Sequence, residues 1–105
     1  MAEAPFALRY SADGMTVVRA QVTVTAEALV FEPTDPPGAR FVIDHADIET
    51  VNIGSWDLDV TTVAGTVLHI SHAAERFDPF VAAFVAARNE RWVRGLLYRD
   101  QQVDR

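Results

Sequence analysis

The stretch WDLDVTTVAGTVLHISHAAERFDPFVAAFVAAR, residues 56–88, decides the fold, because its apolar residues change period part-way along. In 56–63 Trp56, Leu58 and Val60 alternate with Asp57, Asp59 and Thr61, and in 66–71 Leu68 and Ile70 alternate with Val67 and His69. Successive side chains of a strand point to opposite faces, so this is the signature of two half-buried strands, with Trp56, Leu58, Val60, Leu68 and Ile70 turned inward. Ala64-Gly65 between them can supply the positive φ of a tight hairpin. After Asp78-Pro79 the apolar residues Phe80, Val81, Phe84 and Val85 recur at i, i+1, i+4 and i+5, which is one face of a helix. Asp78 can accept from the free amides of the first turn, and Pro79 brings the fixed φ of a first helical residue.

Upstream the alternation repeats. Val18, Ala20, Val22 and Val24 face away from Arg19, Gln21, Thr23 and Thr25. Leu29 and Phe31, then Phe41 and Ile43, then Val51 and Ile53 continue it, and 6–10 reads as a further short strand. Asp13-Gly14 and Gly54 are placed to supply positive φ in turns. Pro33, Pro36, Pro37 and Gly38 remove donors and argue for an exposed loop rather than an interior strand. Strands first and one amphipathic helix last make a mainly β domain with a C-terminal helix, in one unit over residues 1–105: a β body at about 6–71 and a helix from about 78.

The helix carries a second apolar set, Trp92, Val93, Leu96 and Leu97, which at 100° per residue is centred roughly 130° from the first. A straight helix cannot bury both sets against one surface. The pattern predicts a kink or break at 88–90 and a second amphipathic segment over 91–99, with Gly95 weakening the continuation.

Half of the residues are hydrophobic, enough for a single core, and there is no cysteine, which removes disulfide and thiolate chemistry. The N-terminus lacks a basic start and an apolar core of signal length, so a cytoplasmic location is the expectation. The net charge of −6 is uneven. Residues 1–75 hold eleven acids and three arginines, and residues 76–105 hold four acids and six arginines. An acidic body repels nucleic acid and anionic lipid, which leaves membrane contact to the C-terminal segment alone. All nine basic residues are arginine, which excludes Schiff-base lysines and the lysine of a P-loop.

Two segments, VTVTAEALVFEP at 22–33 and FVIDHADIETVNI at 41–53, carry a resemblance that the hairpin at 56–71 and the closing helix complete. Over about residues 6–90 the chain resembles a bacterial PH-like domain of the GRAM and pleckstrin-homology superfold. The resemblance implies a seven-stranded barrel of two nearly orthogonal antiparallel sheets, capped by the C-terminal helix. Lipid-binding relatives typically carry basic residues in and around the first strand connection. Here that connection is Ser11-Ala12-Asp13-Gly14, so no phosphoinositide-binding residue carries over and phosphoinositide is not the expected ligand.

Readings that would carry chemistry find little support. His69 and His72 are spaced for two ligands on a helix but fall on a strand, with Asp44 and His45 elsewhere, so no metal site is assigned. Ser71-His72 lacks a nucleophile elbow, and Asp57 and Asp59 share the outer face of one strand. No catalytic, cofactor or metal residue is expected, and the chain does not read as an enzyme. What remains is the tail, where Arg88, Arg91, Arg94 and Arg99 flank Trp92, Leu96, Leu97 and Tyr98, residue types enriched at interfaces. Either these apolar residues fold back on the body or they meet a partner. The leading expectation is a non-catalytic interaction module that binds a protein partner or a second copy of itself. The alternatives are a peripheral membrane or lipid-head-group adaptor anchored by the tail, and a small enzyme with an unrecognised site.

Overall fold

The structure, a computed structural model, describes residues 5–72 and 77–103, with side chains over 5–71 and 78–94. Seven strands precede one helix: β1 Phe6–Ser11, β2 Val18–Val24, β3 Ala28–Asp35, β4 Phe41–Asp44, β5 Ile48–Ile53, β6 Asp57–Thr62, β7 Val67–His72 and α1 Phe77–Val103. All pairings are antiparallel, in the order β4-β3-β2-β1-β7-β6-β5. The strand count and the closing helix are as the sequence implies. The hydrogen bonding, however, is that of one continuous sheet, because β1 pairs with β2 through residues 6–10 and with β7 through 8–11. It is not closed: β4 and β5 are its two ends, joined by a short 3-10 turn, His45–Asp47.

The alternation holds through the middle of the ladders, whereas Ile53, placed in the inward set, ends the β5–β6 ladder opposite Leu58 and is 53% exposed. Leu8, Val22, Leu29, Phe31, Leu58, Val60 and Ile70 are fully buried, and α1 adds Phe80 and Phe84. Phe6 meets the edge of Phe80 at 5.5 Å between ring centroids, and Phe80 stacks on Phe84 at 5.9 Å. Tyr10 stands edge-on to both Phe31 and Phe41, and partial burial raises its hydroxyl pKa above the ordinary value.

Four further local expectations fail, each for a physical reason. Trp56 is 72% exposed rather than inward, because β6 begins only at Asp57. The Gly54 amide donates to the Asp57 carbonyl at 2.8 Å and closes the turn, which leaves Trp56 at its tip, where strand parity has no force. Gly54 does not have positive φ, unlike Gly14 and Gly65; a Cβ there would collide with the Asp57 carboxylate. β3 runs through Pro33 to Asp35, past the proline that argued for a loop. β4 pairs with β3 only along residues 28–31, so beyond Phe31 one side of β3 is open and the missing amide costs little there.

The last correction concerns the helix. α1 continues through Arg88, Asn89 and Glu90 without a break, and nothing in those residue types interrupts it, since none is proline or glycine. The expected break assumed that both apolar sets must be buried against the body. Trp92 and Val93 are instead 38% and 54% exposed.

The β1–β2 connection, residues 12–17, is organised by one carboxylate. Asp13 Oδ1 accepts from the backbone amides of Met15 and Thr16, both at 2.8 Å, and the Ser11 hydroxyl accepts from the Gly14 amide at 2.9 Å. The amides, that of Thr16 first and Met15 next, lower the Asp13 carboxyl from 3.8 to about 2. A carboxylate depressed in the folded state adds stability that is complete above the unfolded value near pH 4 and is lost as pH falls toward about 2. The expected result is that the Asp13 carboxyl carbon titrates near pH 2 by NMR and that amide exchange in 12–17 speeds up over that interval. Asp13→Asn should abolish this acid dependence; a midpoint near 3.8 would contradict it.

Candidate interaction surface on the C-terminal helix

One face of α1 is turned toward the body along its described length. Phe80, Phe84, Ala87, Arg91 and Arg94 follow at spacings of four, three, four and three, which stacks them on a single helical face. The first two are fully buried and Ala87 packs against the core. Past Ala87 the same face changes from apolar to arginine, because there the helix leaves the core and meets the rim of the sheet.

At that rim the sheet supplies acids and backbone carbonyls. Arg91 Nε lies 3.6 Å from Glu27 Oε2 and 3.6 Å from Asp44 Oδ1. Arg94 Nη2 is 3.1 Å from Glu27 Oε1 and donates to the Ala26 carbonyl at 3.2 Å. Arg88 makes long contacts to the carbonyls of Ile48 and Glu49, at 3.4 and 3.5 Å, and its guanidinium lies over the Trp92 ring, 5.9 Å from the centroid. Glu27 and Ala26 sit in the β2–β3 turn, where the Thr25 hydroxyl oxygen accepts from the Ala28 amide at 2.9 Å. Asp44 ends β4 and caps the 3-10 turn by accepting from Ala46 N at 2.8 Å. The three arginines thus fasten α1 across the place where β4 and β5 fail to pair. Arg94 and Glu27 are half-exposed, so each pair contributes no more than about 1 kcal/mol.

Of the residues picked out in the sequence, Arg88, Arg91 and Arg94 are brought together against the chain's own body. Trp92 and Val93 remain exposed. The side chains of Leu96, Leu97, Tyr98 and Arg99 lie outside the described residues. Sequence reading missed Glu27 and Asp44 as the arginines' partners; the acid excess of the body was a general signal for them, without an address.

The histidines have other settings. His45 is fully buried, its Nε2 2.9 Å from the Thr25 carbonyl and its ring 5.8 Å from that of Phe84. His69 stands on the outer face of β7 between two carboxylates, Nδ1 2.5 Å from Asp59 Oδ1 and Nε2 3.5 Å from Asp57 Oδ2. The side chain of His72 lies outside the described residues. Among the described residues no group of three or more His, Asp and Glu side chains is arranged to hold a metal ion. No described helix is long and apolar enough to cross a membrane.

Sheet order, strand directions and closing helix can be matched to solved structures. The human ARAP2 N-terminal PH domain, solved in solution, superposes with a TM-score of 0.63 at 12% identity, over 83% of this chain and 79% of that one. The fold is PH-like. A second match with the PH-like chain is the C-terminal domain of an unknown protein from Leishmania infantum, with a TM-score of 0.68 at 15% identity and 84% of each chain covered. No protein-family model matches the sequence, and no curated protein matches it. At these identities the likeness is one of PH-like architecture, and function has to be argued from this chain's own surfaces.

Proposed function

We propose that this PH-like chain is a non-catalytic interaction module that binds a protein partner, or a second copy of itself, through the side of α1 turned away from its body. The observation that carries the reading is the division of labour along the helix: its arginine edge is engaged by the body while Trp92 and Val93 stay exposed. Large apolar side chains in adjacent exposed positions are characteristic of docking surfaces. Four residues on, the sequence repeats the pair as Leu96 and Leu97, and Tyr98 and Arg99 follow, with aromatic and arginine types that are enriched at interfaces. Arg88 contributes by holding the Trp92 ring. The outer side of β5 adds a second element, since among the described residues 50–53 pair only with β6 and can receive a partner's strand. A non-catalytic role is supported by the settings of the described histidines, one built into the core and one exposed between carboxylates.

The test is the double substitution Trp92→Glu and Val93→Glu, two exposed positions whose change leaves the core intact. Self-association in sedimentation velocity, or recovery of a partner from native lysate, should weaken by about thirtyfold or more, the effect of losing one central aromatic anchor. The unfolding midpoint should stay within a few degrees of the parent protein. Association unchanged by the double substitution would sink the proposal. Association that survives high salt supports a protein partner, whereas flotation with anionic liposomes that high salt abolishes supports the lipid alternative.

A further inference from the structure

The outer face of the sheet, away from α1, carries a separate cluster. The register of β2, β1 and β7 places Arg19, Arg9 and Ser71 in one row, with Asp35 opposite Arg19 and Asp57 opposite Ser71. Ala20, Leu8, Ile70 and Leu58, the neighbours of opposite parity, are buried, so the row faces outward. Residues directly opposite each other on antiparallel strands have Cα atoms about 5 Å apart, which holds two guanidinium-bearing side chains side by side against their mutual repulsion.

No ion pair among the described residues relieves that repulsion directly. Neither Arg9 nor Arg19 forms an ion pair among the described residues, although Asp35 stands opposite Arg19. Asp57, the acid that ends the row beyond Ser71, is turned to His69. Arg9 Nε is shielded from solvent and has no hydrogen-bond acceptor. The shielded Nε atoms of Arg88 and Arg91 differ: those side chains reach backbone carbonyls or carboxylates. The Nη end of the Arg9 guanidinium stays open to solvent and forms no hydrogen bond or ion pair among the described residues, so an incoming acceptor can reach it and offset part of the cost of the shielded Nε.

We infer that Arg9 and Arg19 form an anion-binding site on the outer face of the sheet, and that its ligand is a carboxylate carried by a protein partner. The planar guanidinium fork matches a carboxylate, with the two terminal Nη groups, the end of the side chain away from the shielded Nε, donating to its two oxygens, and the Ser71 hydroxyl is a neighbouring donor. Asp35 and Asp57 at the ends of the row, with a net charge of −6 behind them, penalise a phosphate dianion more than a single carboxylate. The site lies on the sheet rather than on the helix, and does not depend on the helix surface proposed above.

The experiment follows the arginine Nε–Hε signals of the labelled full chain by NMR during titration with a capped Gly-Glu-Gly peptide. The matching Gly-Gln-Gly peptide, inorganic phosphate and sodium chloride serve as comparisons at constant ionic strength. The expected result is a saturable shift of the Arg9 Nε–Hε signal with the glutamate peptide alone. In Arg19→Gln that binding should be about tenfold weaker, the loss of one charge-assisted pair. In Arg9→Gln it should be undetectable, with Arg19→Gln and the parent protein still decisive should that variant fold poorly. Equal response to both peptides, a response no different from chloride, or phosphate saturating at lower concentration than the glutamate peptide would each overturn the assignment.

Discussion

Replacing Phe84 by alanine should lower the thermal unfolding midpoint by about 15–25 °C, the largest effect of any single substitution in α1. Phe84 is fully buried, stacks on Phe80 and lies against the ring of His45, so it joins the helix, the core on the inner face of the sheet and the turn between the sheet's two ends. Truncation of a buried phenylalanine costs about 3–5 kcal/mol, made up of lost transfer energy and the cavity left behind. In a domain of this size each kcal/mol moves the midpoint by roughly 4–6 °C, and total stability is typically about 5–15 kcal/mol. The cavity cannot collapse easily, because its walls are strands held on both sides by ladder partners and α1 is fixed beyond it by Arg91 and Arg94. Phe84→Leu, which keeps most of the volume, should cost less than half as much. Calorimetry on the two variants checks this, and a Phe84→Ala midpoint within about 5 °C of the parent, three- to fivefold short of the expected shift, would mean that the helix is not integral to the core.

Most of this core was legible from alternation alone, and the reason is specific. Val22, Phe31, Leu58 and Ile70 lie within ladders with one wet face, where strand period and burial are the same signal. The signal stops at ladder ends. Trp56 lies one residue outside β6, so parity extrapolated to it gives the wrong face, and Gly54 is explained by the nearness of the Asp57 side chain, which no turn rule contains. Pro33 misleads because a proline rule written for interior strands meets a strand that is interior along 28–31 and open afterwards. Whether the sheet closes depends on pairing between β4 and β5, and that depends on three-dimensional placement rather than on either strand's composition.

The candidate surface divides the same way. The arginine and aromatic composition of the tail is visible in the sequence, and so is the misalignment of its two apolar sets. The arginines' partners are not, because they come from far away in the chain: Arg88 reaches Ile48 across 40 residues and Arg94 reaches Ala26 across 68. Once those contacts are in place the misalignment has a different meaning. The face that continues Phe80 and Phe84 is the arginine face, and Trp92 and Val93 belong to the opposite side. A kink is therefore not needed to bury Trp92 and Val93, the described members of the second set, since both are exposed.

His45 is the residue whose importance the sequence least suggested, and its removal should have the second-largest effect. It opens the 3-10 turn that joins β4 to β5, its amide donates to the Glu27 carbonyl at 2.9 Å, and its ring is fully buried against Phe84. The Thr25 carbonyl can only accept, so Nε2 carries the hydrogen and the side chain donates from the sheet's end to the β2–β3 turn at 2.9 Å. That turn also presents Glu27 and Ala26 to the arginines, so one imidazole supports both the closure of the core and the seat of the helix. His45→Ala should cost about 2–4 kcal/mol from the lost volume and the lost hydrogen bond together. His45→Leu, similar in volume but without the donor, should cost about 1–2 kcal/mol, which isolates the carbonyl left without its partner. Denaturant unfolding of both variants gives the two values. The amide signals of 25–28 should shift in each variant, because the turn loses its tether in both. If alanine and leucine cost the same, ring packing contributes nothing, and if both cost under about 0.5 kcal/mol, the level of an ordinary surface change, His45 does not hold the seam.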